Sequence, residues 1–264
     1  MSKKTAEIRD LAIKRHDIDA SFFQQTYNDI ILAKKAYPFK IGRSLVMEDI
    51  EECLNNLPAG ARILDLGSGT GHLTKWMAEK GFLAEGVEPS SNMIKNARTN
   101  FPDLRFTEGI SSSLPVADST FDFVISFEVF RYLDKDENQK SFEEVLRVLK
   151  PGGVFFFTQV NKYATDFYYP FYYLKKMIYG FTKTVYHYCF FTTPAEQEKM
   201  MLRAGYSQVK TIGRMASTIR IAYKFGKRFG DFYTKLIKMG YGNQKFIHSP
   251  LKAMSGHLVV IGKK

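Results

Sequence analysis

The sequence is poor in the residues that build disulfide frameworks and metal sites. It has only two cysteines, Cys53 and Cys189, and they lack the CxxC spacing of redox or zinc motifs. This composition is typical of a reducing compartment. The five histidines are scattered along the chain instead of being grouped at ligand spacing, so we expect no metal site.

Long apolar runs are also missing. No run of about 18 uncharged apolar residues occurs, so we expect no membrane-spanning helix. The most apolar stretch, residues 167–181, is interrupted by Pro170, Lys175 and Lys176. The first residues, MSKKTAEIRD, are charged and no apolar segment follows them, so we expect no signal peptide. These absences favour a cytoplasmic protein.

The basic residues are concentrated at one end of the chain. All 264 residues together carry 38 Lys and Arg against 27 Asp and Glu, a net charge of +11. Residues 161–264 carry 18 against 4, a net of +14, so the preceding part is slightly acidic. The same segment holds 21 of the 39 aromatic residues. The excess positive charge therefore belongs to the C-terminal region, which we expect to select the acceptor.

Short apolar runs alternate with amphipathic segments before residue 160. Residues 44–57 have helical spacing, and five strands are expected in ARILDL, FLAEGVEP, LRFTEG, FDFVISFEVF and VFFFTQV. Such alternation predicts βαβ units and a parallel sheet. Two further strands are expected at 207–215 and 257–264. We divide the chain into an N-terminal helical lid (1–43), a core (44–160) and a substrate-side region (161–264) with a basic, aromatic insertion at about 214–256.

A glycine-rich turn, DLGSGTG, follows the first expected strand. Gly67, Gly69 and Gly71 precede a helix, where the missing Cβ atoms let a ligand approach the backbone. The dinucleotide-binding pattern GxGxxG would need a glycine at position 72, which is His72 here. The second strand ends on Glu88, where a carboxylate accepts hydrogen bonds from both hydroxyls of a ribose. A tight turn without a ligand is the alternative interpretation.

Four segments in order resemble the motifs of class I S-adenosylmethionine-dependent methyltransferases of the type 11-like group. They are ILDLGSGTGHLT, GVEPSSNMI, FTEGISSSLPVADSTFDFVIS and LRVLKPGGVFFFT, within residues 61–160. The resemblance implies a Rossmann-like α/β fold with a doubly wound, mostly parallel sheet of seven strands, the last of which is antiparallel. It also implies a helical, aromatic-rich cap in the C-terminal region. It also implies S-adenosyl-L-methionine as cofactor and S-adenosyl-L-homocysteine as product.

The resemblance also implies the residues that hold the cofactor. Asp65 and the glycine loop would hold its methionine end, and Glu88 its ribose. Many relatives have an acid in place of Ile110, so here Ser111, Ser112 or the backbone must contact the adenine amino group. The implied set is Asp65, Gly67, Ser68, Gly69, Gly71, Glu88, Pro89, Met93, Ile110, Ser111, Ser112 and Phe127.

The acceptor side departs from the related pattern. SFEVFRYL (126–133) is similar to the EVLEHV-like stretch of ubiquinone-biosynthesis methyltransferases, but Arg131 and Tyr132 replace its acid–histidine pair. Neither a histidine base nor a metal site therefore carries over. Glu128 remains, either facing the acceptor or serving as a structural carboxylate. The candidates for a general base are His16, Tyr27, Tyr132 and His187, and a lid formed by RHDIDASFFQQTY favours the first two.

Residues 216–239 predict an amphipathic helix. On a helical wheel the basic side chains, among them Lys224 and Arg228, separate from apolar ones such as Phe229 and Phe232. Such a helix either lies in the interface of an anionic membrane or packs its apolar face on the core as a cap.

These patterns predict an enzyme that methylates a small, hydrophobic or lipid-like acceptor in the cytoplasm, with peripheral attachment to an anionic membrane surface as a further expectation. Two alternatives stay open. One is a methyltransferase for RNA or another polyanion, although no RNA-binding module and no NPPY-like motif occurs. The other is a non-catalytic membrane- or partner-binding module on the same fold.

Overall fold

The structure is a computed structural model. It describes the backbone of residues 3–32, 37–164, 168–181, 188–214, 218–241, 252 and 255–264, and the side chains of 4–18, 44–164, 168–178, 188–214, 221–236, 252 and 255–264. The backbone at Tyr27 is helical but its side chain lies outside these ranges, and His187 lies outside them entirely.

A single twisted sheet forms the centre of the described chain. Its strands are β1 (Arg62–Leu66), β2 (Leu83–Glu88), β3 (Arg105–Glu108), β4 (Phe121–Ser126), β5 (Leu149–Asn161), the two-residue β6 (Phe191–Thr192), β7 (Gln208–Arg214) and β8 (His257–Lys263). The order is β3-β2-β1-β4-β5-β8-β7, with β6 paired to β5. Strand β8 is antiparallel to both of its neighbours. The predicted mostly parallel, Rossmann-like sheet with an antiparallel last strand is confirmed.

Helices connect and cover these strands. They are α1 (Lys3–Leu32), α2 (Tyr37–Leu54), α3 (His72–Glu79), α4 (Ser91–Asn100), α5 (Lys135–Val148), α6 (Tyr168–Phe181), α7 (Pro194–Ala204), α8 (Thr218–Lys224) and α9 (Lys227–Tyr241). Side-chain caps begin several of them: Ser90 caps α4, Asp134 caps α5, and Thr193 forms a capping box with Glu196 on α7. No helix within the described residues is long and apolar enough to cross a membrane.

Two hydrophobic layers cover the sheet, one on each face. Alternate residues of β5 point to opposite layers: Phe155 and Phe157 pack with Phe142 of α5, whereas Phe156 packs with Ile50 of α2. All five side chains are fully buried. Burial on both faces explains why the central strands read as nearly continuous apolar runs.

Two elements differ from the sequence prediction. The fourth strand, expected to reach residue 130, ends at Ser126, because Phe130 turns into the core within a short 3-10 helix. The single helix expected over 216–239 is wrong: α8 and α9 are separated at Gly226, whose φ of 106° is left-handed. The turn lets α9 pack back on α8, with Gly230 against the ring of Tyr223.

Candidate active site

A cleft opens where β1, β2 and β4 end. It contains about 980 Å³ of free space, part of it continuous with solvent, and the N-terminal helix α1 forms one wall. Ligands of open α/β sheets bind at this edge, beyond the carboxyl ends of the strands. The cleft is therefore the candidate active site.

The glycine-rich turn after β1 forms the floor of the cleft. Gly67 and Gly69 have φ values of 78° and 53°, which side chains with a Cβ rarely adopt. A Cβ on Gly67 would lie 2.2 Å from Cγ2 of Val129, so this position also requires glycine for packing. The Gly67 amide donates to the carbonyl of Val87 at 2.7 Å, and this bond anchors the loop to β2.

Glu88 is held beside the loop by two backbone amides. Its Oε2 accepts a hydrogen bond from Gly69 N and its Oε1 from Ser90 N, both at 3.0 Å. Burial, helped by the nearby charges of Asp65 and Asp17, raises the pKa of Glu88 to about 7 despite these bonds. The carboxylate lines the cleft, so its ionisation changes the acceptor capacity of the site near neutral pH.

Met93, Ile110 and Ser111 also line the cleft. The Ser111 hydroxyl shares a hydrogen bond of 2.7 Å with the Ser141 hydroxyl. Ser112 points elsewhere, because its hydroxyl donates to Glu137 at 2.5 Å. Met93 and Ile110 therefore add apolar side chains to the cleft beside the Ser111 hydroxyl.

Helix α1 is fixed over the cleft by polar contacts. Asp17 Oδ1 accepts hydrogen bonds from Ser90 Oγ at 2.5 Å and from Asn92 N at 3.2 Å, both at the start of α4. Arg9 Nη1 lies 3.4 Å from Glu137 Oε1 on α5. The helix thus bridges the two sides of the cleft.

His16 extends from α1 into the cleft. Its Nδ1 lies 2.7 Å from the carbonyl oxygen of Ala12, which can only accept, so Nδ1 carries a proton and Nε2 is the basic nitrogen of the neutral ring. The His16 ring meets the Tyr132 ring edge to face at 4.8 Å between centroids. Burial raises the pKa of Tyr132, so this phenol stays protonated at neutral pH.

Glu128 also lines the cleft, but its carboxylate is bound from several sides. Its partners are His257 Nδ1 at 3.1 Å, Arg131 Nη1 at 2.9 Å and Thr158 Oγ1 at 3.2 Å. Burial alone would raise the pKa of Glu128, but His257 and Arg131 outweigh it and hold the pKa far below its usual range. Its φ of 63° is a strained conformation that these contacts maintain.

The structure brings together most of the residues expected at a cofactor site. Those that line the cleft are Gly67, Gly69, Glu88, Pro89, Met93, Ile110, Ser111 and Phe127. Asp65, Ser68, Gly71 and Ser112 are not among the lining residues. Asp65 is buried beneath the loop, where it accepts a hydrogen bond from the Thr74 hydroxyl at 2.6 Å.

The sequence analysis expected an N-terminal helical lid with His16, but it did not single out the other residues of α1 at the cleft. Arg9 and Ile13 line the cleft, and Asp17 fastens the helix. Positions 9, 13 and 16 recur at helical spacing, so a helical wheel of the N-terminal segment could have placed them on one face. Among the catalytic candidates, His16, Tyr132 and Glu128 meet in the cleft.

Comparison with known proteins gives the same picture of the core. Residues 64–157 match the family described as "Methyltransferase domain". Over 95 residues the chain is 38% identical to the demethylmenaquinone methyltransferase of Renibacterium salmoninarum, covering 36% of this chain and 39% of that protein. Across eight curated relatives that it matches, the chain covers between 38% and 60% of their length.

Solved structures match over a larger part of the chain. A methyltransferase of Thermotoga maritima, described as a possible histamine N-methyltransferase, superposes with a TM-score of 0.56 at 20% identity, over 94% of this chain and 98% of that one. The phosphoethanolamine N-methyltransferase 2 of Haemonchus contortus, in complex with S-adenosyl-L-methionine, gives 0.58 at 16% identity, over 82% and 51%. At these identities the likeness shows the fold. The sequence match itself places a methyltransferase domain at residues 64–157.

Proposed function

We propose that this chain transfers a methyl group from S-adenosylmethionine to a small, hydrophobic acceptor. The observation that carries the proposal is the position of Glu88, a carboxylate held by two backbone amides beside a glycine loop at the floor of an open cleft. Two adjacent hydroxyls of a ribose are suitable donors to such a carboxylate. When bound, the cofactor supplies a methyl group on a sulfonium, which needs no protonation of the leaving group.

The residues of the cleft fit this cofactor. Gly67 and Gly69 present backbone without side chains to the cleft, which suits close approach of the methionine end. Glu88 would hold the ribose. Met93, Ile110 and Ser111 would surround the adenine. Asp65 would act from beneath, by supporting the loop and the start of α3 through Thr74.

The rest of the cleft supports an apolar acceptor. The side facing α1 and the turn after β4 is lined by Ile13, Phe127, Val129, Tyr132 and Leu133. Apolar walls with few polar groups favour a hydrophobic molecule, which these polar groups would orient. The demethylmenaquinone methyltransferase similar to this chain suggests the same class of acceptor by its name.

His16 is our candidate for the group that accepts a proton from the acceptor. Its basic nitrogen is defined by the bond from Nδ1 to Ala12, and the ring lines the cleft beside Tyr132. Glu128 is a weaker candidate, because a carboxylate with a strongly lowered pKa binds a proton poorly. We assign Glu128 a positioning role, in which it holds Arg131 and the turn that carries Tyr132.

A second possibility is that the methyl acceptor is RNA or another polyanion. The net charge of +14 over residues 161–264 is compatible with such an acceptor. The described lining of the cleft argues against a polyanion. It includes two acids, Glu88 and Glu128, and apart from His16 its one basic side chain is Arg9. Phosphates would meet these carboxylates near the reaction centre.

A methyl-transfer screen tests the proposal. The purified chain would be incubated with methyl-labelled S-adenosylmethionine and, separately, with a lipid extract, total RNA and a mixture of polar metabolites. We expect label in the lipid extract. Label in RNA alone would replace the hydrophobic acceptor with a polyanion, and label in none, despite cofactor binding, would support the non-catalytic module. The His16→Ala variant serves as the matched control for enzyme-dependent label.

A further inference from the structure

Two helical segments with exposed apolar side chains begin at the cleft edge of the sheet. Strand β8 is antiparallel to both β5 and β7, so β5 and β7 run in the same direction and end at the same edge. Helix α6 follows β5, and helices α8 and α9 follow β7. The chain returns at His257, the first residue of β8, which contacts Glu128 in the wall of the cleft. Both helical segments therefore lie on the side of the molecule where the acceptor enters.

These segments carry most of the large hydrophobic side chains that are exposed in the described part of the chain. Among the described residues, fourteen large hydrophobic side chains are exposed, and nine of them fall within residues 168–178 and 225–236. The exposed fractions of Phe225, Phe232 and Met177 are 75%, 61% and 58%. Exposed apolar side chains grouped in this way mark an interaction surface, whereas single ones are ordinary.

The packing of α9 turns its aromatic side outward. Gly230 lies against the ring of Tyr223 on α8, and Asp231 accepts a hydrogen bond from the Tyr223 hydroxyl at 2.8 Å. On a 3.6-residue helix this contact directs Phe229, Phe232 and Leu236 away from α8, and all three are exposed. The expectation that the apolar face packs on the core as a cap does not hold for this part of α9.

Basic side chains border the apolar stripe. Arg228 and Lys235 are exposed, and each lies one helical turn from Phe232, on opposite sides of it along α9. Lys224, also exposed, is the last residue of α8. Residues 168–178 of α6 contain Lys175 and Lys176 but no acid. The only acid in 221–236 is Asp231, which is engaged by Lys227 at 2.7 Å.

We propose that an aromatic stripe, formed by Phe225 in the turn before α9 and by Phe229, Phe232 and Leu236 on α9, docks the chain on an anionic lipid bilayer together with the exposed part of α6. Aromatic side chains enter the headgroup region while bordering cations meet anionic headgroups. The scarcity of acids in these two segments favours this partner over a protein surface of mixed charge. This inference rests on the proposed function for its purpose, because docking would bring the cleft to a lipid-like acceptor.

Co-sedimentation with vesicles tests the docking without cofactor or acceptor. Wild-type protein would be mixed with vesicles of phosphatidylcholine alone or of phosphatidylcholine with phosphatidylglycerol. We expect a partition coefficient about tenfold higher on the anionic vesicles. A charge variant with Lys224, Arg228 and Lys235 changed to Glu should lose this difference. Its matched control changes Lys95, Lys140 and Lys199, three exposed lysines on α4, α5 and α7, to Glu and should keep it.

A fluorescent probe tests insertion of the stripe. The chain has one tryptophan, Trp76, on α3. In the Phe232→Trp variant, lipids brominated on their acyl chains should quench the fluorescence of the new tryptophan. In the wild type, the same lipids should leave the fluorescence of Trp76 unchanged. A variant with Phe225, Phe229 and Phe232 changed to Ser should sediment several-fold less while still binding the cofactor, which shows that it is folded.

Three results would overturn the docking. The first is that the wild type does not bind vesicles, and the second is that the Ser variant binds them as well as the wild type. The third is that the wild type forms a dimer without vesicles and the Ser variant is monomeric, which would assign the stripe to contact with a second copy of the chain. None of these results affects cofactor binding or methyl transfer to a dispersed acceptor. The proposed function is therefore tested separately, by cofactor binding and by the methyl-transfer screen.

Discussion

Asp17 of the first helix and Ser90 at the start of α4 share a hydrogen bond of 2.5 Å although 73 residues separate them in the sequence. Ser90 Oγ at the same time accepts from the Met93 amide as the N-cap of α4, and Ser90 N donates to Glu88. The contact thus connects the wall formed by α1 with the carboxylate expected to bind the ribose. We therefore expect the attachment of α1 and the binding of the cofactor to be coupled through this serine.

The Asp17→Ala variant should release the cofactor faster. The change removes the acceptor for Ser90 Oγ and the Asn92 amide, so α1 loses its attachment to α4. We expect a dissociation rate higher by about tenfold, the equivalent of ~1.4 kcal/mol. A chase of labelled cofactor measures it. Glu7→Ala, an exposed site on the same helix, is the control and should leave the rate unchanged.

Loss of the His16 imidazole should reduce the rate of methyl transfer without comparable loss of cofactor affinity. For a hydroxyl acceptor we expect kcat of His16→Ala to fall by about 10²-fold or more, the usual contribution of a general base. Tyr132→Phe keeps the ring that contacts His16 and removes only the phenol, so its kcat should stay near that of the wild type. Equal losses in the two variants would point to packing instead of proton transfer.

Cofactor affinity should depend on pH through Glu88. Its raised pKa of about 7 means that the carboxylate takes up a proton as the pH falls through neutrality, and the protonated form offers fewer acceptor positions to hydroxyl donors. We expect the dissociation constant to be roughly tenfold larger at pH 6 than at pH 8. In Glu88→Gln, which cannot titrate, binding should be weak at both values. A wild-type affinity that is flat across this range would remove Glu88 from the ribose site.

The shape of the glycine loop should be sensitive to a single methyl group at Gly67. Gly60 has a similar φ of 70°, but no atom lies within 4 Å of the point that a Cβ would occupy there, so Gly60→Ala reports backbone strain alone, about 1 kcal/mol of unfolding free energy. Gly67→Ala adds the clash with Val129 and should cost about 3 kcal/mol. Adding Val129→Ala should restore part of that loss. Denaturant unfolding of the single and double variants gives the coupling.

Glu128 should stabilise the fold in a pH-dependent way. Its pKa in the folded chain lies well below the ordinary 4.5, so the unfolded chain binds the proton more readily and the stabilisation is present above pH 4.5. It is lost as the pH falls below that value. Glu128→Gln should lower stability at pH 7 by roughly 2 kcal/mol, with a smaller further loss on acidification than in the wild type. Thermal unfolding at several pH values checks both parts, and parallel acid profiles would contradict the assignment.

Features encoded in short segments were predictable from the sequence. The loop from Gly67 to Gly69 and the acid at Glu88 are marked by adjacent residues at the ends of strands, so pattern and resemblance placed them in one cleft. The relation of Asp17 to Ser90, or of Glu128 to His257, depends on how distant elements pack. No local pattern contains that information.

The C-terminal insertion is a second case in which local sequence patterns did not predict how elements pack. The separation of basic and apolar side chains in 216–239 was visible, but the break at Gly226 was not, because glycine within a helical pattern only lowers helix stability. The break determines which face of α9 packs on α8. Sequence therefore predicted an amphipathic segment and could not predict that its aromatic stripe is exposed.

Calorimetric titration with S-adenosylmethionine at pH 8 tests the central claim most directly. The account predicts saturable binding of one equivalent to the wild type, and a loss of affinity of at least tenfold in Glu88→Ala, whose folding is checked by circular dichroism. A folded wild type that binds no cofactor, or a Glu88→Ala variant that binds it as tightly as the wild type, would contradict the account.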